Sequence, residues 1–224
     1  RAIKKEYENE LKIIDRFTDK SKDALDIGVY RGVYSYKLSK NFKNIHSFEP
    51  NPLLFPYLNK NLKKIINNIK LYNFALSDNN GEAVLKLPIR SKSLFKDNIE
   101  ELYRLGAATM HPKNNINEYK RIQIQTRKLD DISINNKVGF IKIDVEGHEQ
   151  NVIIGGKSLI NKDRPVMLIE IEERHTSKPI KETINFINDM NYECFYLLGN
   201  KLINIKNLDD KSMGNNFIFL PKNK

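Results

Sequence analysis

A single cysteine, Cys194, excludes an internal disulfide and any zinc site built from cysteine pairs. A lone thiol suits a reducing compartment. No apolar run approaches the roughly 20 residues needed to cross a bilayer. No charged-then-apolar leader is visible, although a chain beginning at Arg1 leaves room for an upstream targeting segment. These absences lead to the expectation of a cytoplasmic protein with no membrane partner. Internal repeats and Pro/Gly/Ser-rich linkers are missing as well, so one domain over residues 1–224 is expected.

Long lysine blocks are also absent. The net charge is +10, yet Lys4, Lys5, Lys37, Lys40, Lys60, Lys63 and Lys64 are scattered. Scatter reads as a composition bias on solvated faces rather than as a site for an anionic partner. The 40% hydrophobic and 29% charged content is that of an ordinary globular chain.

What the sequence does contain is strand-like runs alternating with helical ones. Apolar residues at Ile3, Tyr7, Leu11, Ile14 and Phe17 predict a helix over 2–17. A strand over 24–28, a helix over 32–41 and a strand over 45–48 follow. A helix then opens at Asn51 or Pro52 and runs to about residue 64, since Asn caps well and Pro fits a first helical position. Residues 69–74 read as a third strand. Residues 82–87 and 119–126 alternate and predict an antiparallel pair. Between them, 88–118 lacks periodicity and reads as a lid or acceptor-binding part of an insertion over 82–126. Later come a helix over 149–160, a strand over 165–171, a helix over 180–190, and closing antiparallel strands over 192–198 and 216–220. The pattern is α/β: a doubly wound, mostly parallel sheet with antiparallel strands at its C-terminal end and a core over 23–220.

The most informative stretch is 138–150, VGFIKIDVEGHEQ. Gly139, Phe140, Ile141, Ile143 and Val145 make a strand apolar on both faces, as a central parallel strand is. Asp144, Glu146, His148 and Glu149 crowd its carboxyl end, the edge where open α/β sheets bind ligands. Buried carboxylates are costly, so such a cluster signals a site.

A second site signal is Asp26-x-Gly28-x-Tyr30-x-Gly32 at the first strand-to-helix turn. Glycines there let a ligand approach the backbone. Asp26 stands where a pyrophosphate-binding loop has its first glycine, and an anion at that point favours a ligand with an amino group. Glu49 ends the second strand, about 20 residues on, where an acid takes ribose hydroxyls. S-adenosyl-L-methionine, with its ammonium and sulfonium, fits both.

The runs DIGVYRGVYS (26–35), FEPNP (48–52), NFALSDNNGE (73–82), KLDDI (128–132) and IKIDVEGHE (141–149) resemble the FkbM family of S-adenosylmethionine-dependent methyltransferases. The family usually has Asn where this chain has Tyr30. The resemblance implies the class I methyltransferase (Rossmann-like) sheet and O-methylation, with sugars or glycosylated compounds as acceptors. It also implies that Asp26, Gly28, Tyr30 and Gly32 line the methionine end. Glu49, with Asn51, holds the ribose; Ala75, Leu76 and Ser77 border the adenine.

At the reacting end Asp144 is expected to orient the acceptor, with His148 as general base because its pKa lies nearest neutral. Asp144 and Glu172 are a candidate pair of ligands for Mg²⁺ or another divalent ion. Lys142 is expected to pair with Glu170. His46 is assigned to packing, and His111 and His175 to exposed positions. Two alternatives stand beside the sugar-directed reading. One is a nucleic-acid methyltransferase acting on a ribose 2′-hydroxyl, with a Lys–Asp–Lys–Glu set drawn from Lys12 or Lys22, Asp144, Lys178 or Lys181, and Glu172. The other is a non-catalytic binding module. No cluster of aromatics for base stacking supports the former.

Overall fold

The computed structural model describes residues 10–88, 108–111, 119–176, 179–205 and 214–222. In chain order its first half holds α1 (Glu10–Ile13), a 3-10 turn over Ile14–Phe17, β1 (Asp23–Ile27), α2 (Val33–Asn41), β2 (Ile45–Phe48), α3 (Phe55–Ile65), β3 (Ile69–Tyr72), β4 (Ala75–Leu76), β5 (Gly81–Pro88) and β6 (Tyr119–Arg127). Then come β7 (Val138–Ile143), α4 (Glu149–Gly155), α5 (Lys157–Asp163), β8 (Val166–Glu170), α6 (Glu173–Thr176), α7 (Ile180–Asn188), β9 (Tyr192–Leu198), β10 (Lys201–Asn204) and β11 (Asn216–Pro221).

The large sheet has the order β10-β9-β11-β8-β7-β1-β2-β3. The run from β8 to β3 is parallel, while β11, β9 and β10 are antiparallel. This is the mixed sheet of class I methyltransferases. Strand order reverses between β1 and β7: β1 leads outward to β2 and β3, β7 to β8. The carboxyl ends of β1 and β7 therefore form the topological switch point, where doubly wound sheets bind ligands.

Alternation along these strands divides the core into two layers. Ala24, Phe140, Leu168 and Ile218 face one way and pack with Ile14 and with Leu38 and Phe42 at α2. Their neighbours Leu25, Ile141, Ile169 and Phe217 face the other way, against Val152 and Ile153 of α4, Ile160 of α5 and Ile184 and Ile187 of α7. α3 lies on the α2 side, because Ile69 packs against the core residues of both helices. Each buried Leu or Ile contributes about 1.5–3 kcal/mol, which is why the pattern of two dictates which helix goes to which face.

Several expectations are corrected. The helix expected to start at Asn51 or Pro52 starts at Phe55 instead. Asn51 caps a turn ahead of it, its Oδ1 accepting the Leu53 N–H and its carbonyl those of Leu54 and Phe55. The helix expected over 149–160 is two helices broken at Gly155-Gly156. A β-carbon on Gly155 would stand 1.9 Å from the Ser77 carbonyl oxygen, so the chain there presses backbone on backbone. β5 and β6 pair as expected, but β4 joins them in a separate three-stranded sheet, parallel to β6. Of the expected N-terminal helix, residues 2–9 lie outside the described residues, as does most of the segment read as a lid; of that segment, 108–111 is described, with Thr109 bridged to Lys86 of β5.

Candidate active site

Asp26 sits on β1 opposite Lys142 of β7 and is fully buried. Its Oδ2 accepts a hydrogen bond from Ser35 at 2.5 Å, and the Ser35 hydroxyl lies 2.9 Å from that of Ser47. Its Oδ1 is buried without a partner. Burial pushes the carboxyl up to about 7, with the Ser35 bond opposing. A buried carboxylate oxygen with no donor costs about 1–3 kcal/mol or more, and a cationic donor placed there would recover that loss and favour the ionised form.

The loop after Asp26 runs across the end of β7. Gly28 has φ +87°, and a β-carbon on it would stand 1.8 Å from the Asp144 carbonyl oxygen. Two residues on, Tyr30 has φ +48°, in the left-handed region that Asn enters more easily than other side chains. The usual family Asn at this place thus has a backbone reason, and Tyr30 bears a conformational cost instead. Its N–H is held by Glu49 Oε2 at 3.0 Å. Gly32 precedes α2 and packs on Leu62 of α3.

Glu49 is buried just past β2. Its other oxygen, Oε1, accepts the Asn51 N–H at 3.0 Å, so one carboxylate joins the loops after β1 and β2. Burial pushes Glu49 up to about 7, against those two backbone bonds. Each oxygen keeps a lone pair for a ligand hydroxyl. Asn51 is buried beside it. Ala75 and Leu76 of β4 and the following Ser77 are buried where the small sheet meets α4.

His148 lies on that side. Its Nε2 is 2.9 Å from the Ser77 hydroxyl, which also donates to Asp78 at 2.9 Å. The near-neutral titration expected of His148 is not found: burial pushes it down to about 4, and its Nε2 is taken up by the Ser77 hydroxyl.

Asp144 follows β7, with its side chain one-third exposed. Lys142, 1% exposed, places its ammonium 3.8 Å from Asp144, 3.5 Å from Asn216 Oδ1 and over the Tyr34 ring. The expected Lys142–Glu170 pair is corrected: the ion pair is with Asp144, and Glu170 hydrogen-bonds to Asp144 instead. Burial, then the Asp144 charge, raise Glu170 well above the ordinary carboxyl range, so it holds the proton of the pair. A carboxylic acid donating to a carboxylate is the stable arrangement for two such groups this close.

Glu172 is buried beyond β8, bonded by the Arg174 guanidinium and, at 2.6 Å, by Asn215 Nδ2. No group of three or more His, Cys, Asp or Glu is arranged to hold a metal ion among the described residues. The Asp144–Glu172 metal pair is therefore unsupported, because Glu172 faces Arg174 and no third ligand converges. Lys22 pairs with Asp19 ahead of β1, at the amino edge, so it joins no set with Asp144; Lys178 lies outside the described residues. His46 packs as expected, stacked on Tyr72 and bonded to Asp23.

His111 and His175 depart from the exposed positions assigned to them. His111 is half-buried. His175 is buried, with Nε2 2.8 Å from Glu146 and 3.5 Å from Glu172. It ties the loop after β7 to α6; Thr109 adds a third segment by donating to the Glu146 carbonyl at 2.6 Å. The one local signal was the three-residue Glu172–His175 spacing. Desolvation lowers the His175 pKa, but Glu146 and Glu172 outweigh it and the net shift is upward from 6.5. A raised folded-state pKa means the pair's contribution is fully present below about 6.5 and is lost as pH rises through the higher folded value. The melting temperature of wild type should thus lose its advantage over His175→Gln as pH rises above about 6.5. A gap that widens with pH would contradict the assignment.

Residues 26–194 match the family model described as the methyltransferase FkbM domain. The 2-O-methyltransferase NoeI of Sinorhizobium fredii is 29% identical over 126 residues, which are 52% of this chain and 49% of that protein. The chain thus spans about half the length of that curated relative. A crystal structure of methyltransferase FkbM from Methylobacillus flagellatus superposes with a TM-score of 0.56 at 16% identity, over 89% of this chain and 44% of that one. A TehB-like SAM-dependent methyltransferase from Corynebacterium glutamicum gives 0.52 at 11% identity, over 99% and 91%. At such identities the structures speak for the fold alone.

Proposed function

The chain belongs to the FkbM methyltransferase family, and on that footing we propose that it is an S-adenosylmethionine-dependent O-methyltransferase acting on a hydroxyl of a sugar, glycan or glycosylated small molecule. The observation that carries the cofactor reading is the buried, partnerless Asp26 Oδ1 beside the Gly28 crossing. Asp26 would take the cofactor's ammonium, Glu49 with Asn51 the ribose hydroxyls, and Ala75, Leu76 and Ser77 the adenine. The 2-O-methyltransferase relative supports a hydroxyl acceptor of sugar type. Bound there, S-adenosylmethionine supplies a methyl group on a positively charged sulfur.

The residues at the switch point account for the rest. Asp144 receives the acceptor hydroxyl in a hydrogen bond and takes its proton as oxygen attacks. The protonated Glu170 holds Asp144 in one orientation, and Lys142 sets a positive charge behind it. His148, bonded to Ser77, orders the adenine side rather than serving as base. Calorimetry with S-adenosylmethionine, followed by labelled methyl transfer onto fractionated glycoconjugates, tests the reading; cofactor binding without transfer to any hydroxyl compound would leave a binding module. Glu49→Ala should weaken cofactor binding by about 1.5–3 kcal/mol, the scale of a hydrogen bond to a charged group. Unchanged affinity would remove Glu49 from the ribose.

A further inference from the structure

Charge that is scattered along the sequence is gathered by the fold. Residues 27–77 hold eight lysines and arginines and one acid, Glu49, which is buried. This segment builds α2 and α3, which lie side by side. Gly32 meets Leu62, and Asn68 Nδ2 reaches the carbonyls of Ser39 and Phe42. From the turn ahead of α3 and along the helix, Leu53, Tyr57, Lys60 and Lys64 follow at intervals of three or four residues, opposite the buried Leu54, Leu58 and Leu62. Among the described residues, Lys60, Lys63 and Lys64 have no ion pair.

The same face collects exposed apolar surface. Of eight large hydrophobic side chains exposed among the described residues, five belong to this segment: Val33, Tyr36, Leu53 and Tyr57, which share the outward face, and Ile65, which ends α3 on the side of Leu58 and Leu62. Lysines interleaved with aliphatic and aromatic side chains on a helix face are suited to a layer that is anionic outside and apolar just beneath. A nucleic acid would use the lysines and rings but gives no place to Val33 and Leu53. A second copy of the chain would set positive against positive. We propose that the outer face of α2 and α3 docks on an anionic lipid surface. Both helices begin at the carboxyl edge of the sheet, so docking brings the rim of the candidate cleft to the membrane.

Vesicle co-sedimentation of the full chain tests this. Wild type should bind vesicles of phosphatidylcholine with one-third phosphatidylglycerol, ignore pure phosphatidylcholine, and release in about 1 M salt, where the screening length is about 3 Å. The triple variant Lys60→Gln/Lys63→Gln/Lys64→Gln should lower the partition coefficient on the order of 100-fold. Leu53→Ser/Tyr57→Ser should lower it about tenfold or more at low salt, where the lysines still act. Circular dichroism and unfolding midpoints near wild type establish that both variants fold. Equal binding to neutral and anionic vesicles, binding to neither, or wild-type binding by both folded variants would overturn the proposal. So would lysine-dependent capture of an RNA oligomer without vesicle binding.

Discussion

Asp144→Asn should slow methyl transfer by roughly 10²-fold or more while leaving S-adenosylmethionine affinity and melting temperature near wild type. The rate follows from the loss of a positioned proton acceptor, for which 10²–10⁴-fold is the usual scale. The stability expectation rests on the neighbours. Removing one partner of a buried ion pair ordinarily costs about 3–5 kcal/mol because the other charge is stranded. Here Lys142 would not be stranded: the Asp144 charge is among the causes that raise Glu170, and without it Glu170 ionises more readily beside the same ammonium. Asp26 stands close by as well, its carboxyl feeling the Lys142 charge. Single-turnover transfer, cofactor calorimetry and thermal melts on the one variant separate the two roles. Near-wild-type turnover removes Asp144 from the chemistry; a large drop in melting temperature with little kinetic change makes it structural.

Gly28→Ala should abolish measurable cofactor binding and destabilise the fold by about 3 kcal/mol or more. Two costs add. A β-carbon at φ +87° costs roughly 1–2 kcal/mol through its own carbonyl. The larger cost is that it would stand 1.8 Å from the Asp144 carbonyl oxygen, backbone just past the central strand that the Asp144 N–H fastens to the Ile27 carbonyl of β1. Overpacking of that kind costs about 1–3 kcal/mol when neighbours yield, and here yielding means parting β1 from β7. Denaturant unfolding and calorimetry check both parts; a variant as stable as wild type would mean that the loop does not cross the strand this closely.

The contrast between β7 and its surroundings shows how much was legible in the residues. β7 is an apolar run bounded by turn residues, and β5 and β6 alternate in period; each formed close to where its pattern put it. So did Asp26, Glu49 and Asp144, because a carboxylate at the end of a buried strand declares itself locally. What was hidden depends on contacts between segments far apart. β4 pairs only because β6 returns beside it, and the close approach of Ser77 to Gly155, where the α4–α5 break falls, joins segments far apart in the chain. The weak basicity of His148 comes from burial against Ser77, and the burial of His175 from Glu146 on another loop. Lys142 lies against Asp144, and Glu170 bonds to Asp144 instead of to the lysine, an arrangement that residue spacing does not encode.

Glu49 has a further consequence through the backbone it holds. Its two oxygens are bonded to Tyr30 and Asn51, so the loops after β1 and β2 are fastened to each other before any ligand arrives. If the cofactor's nucleoside binds between them as proposed, it finds its cradle already set and has little chain to order. Binding then resembles docking onto a rigid surface, with the entropy of arranging those loops spent during folding rather than on recognition. The same fastening makes the cleft unforgiving: a ligand with a differently placed hydroxyl meets loops that do not reshape around it, so selectivity at the ribose is mechanical as much as chemical.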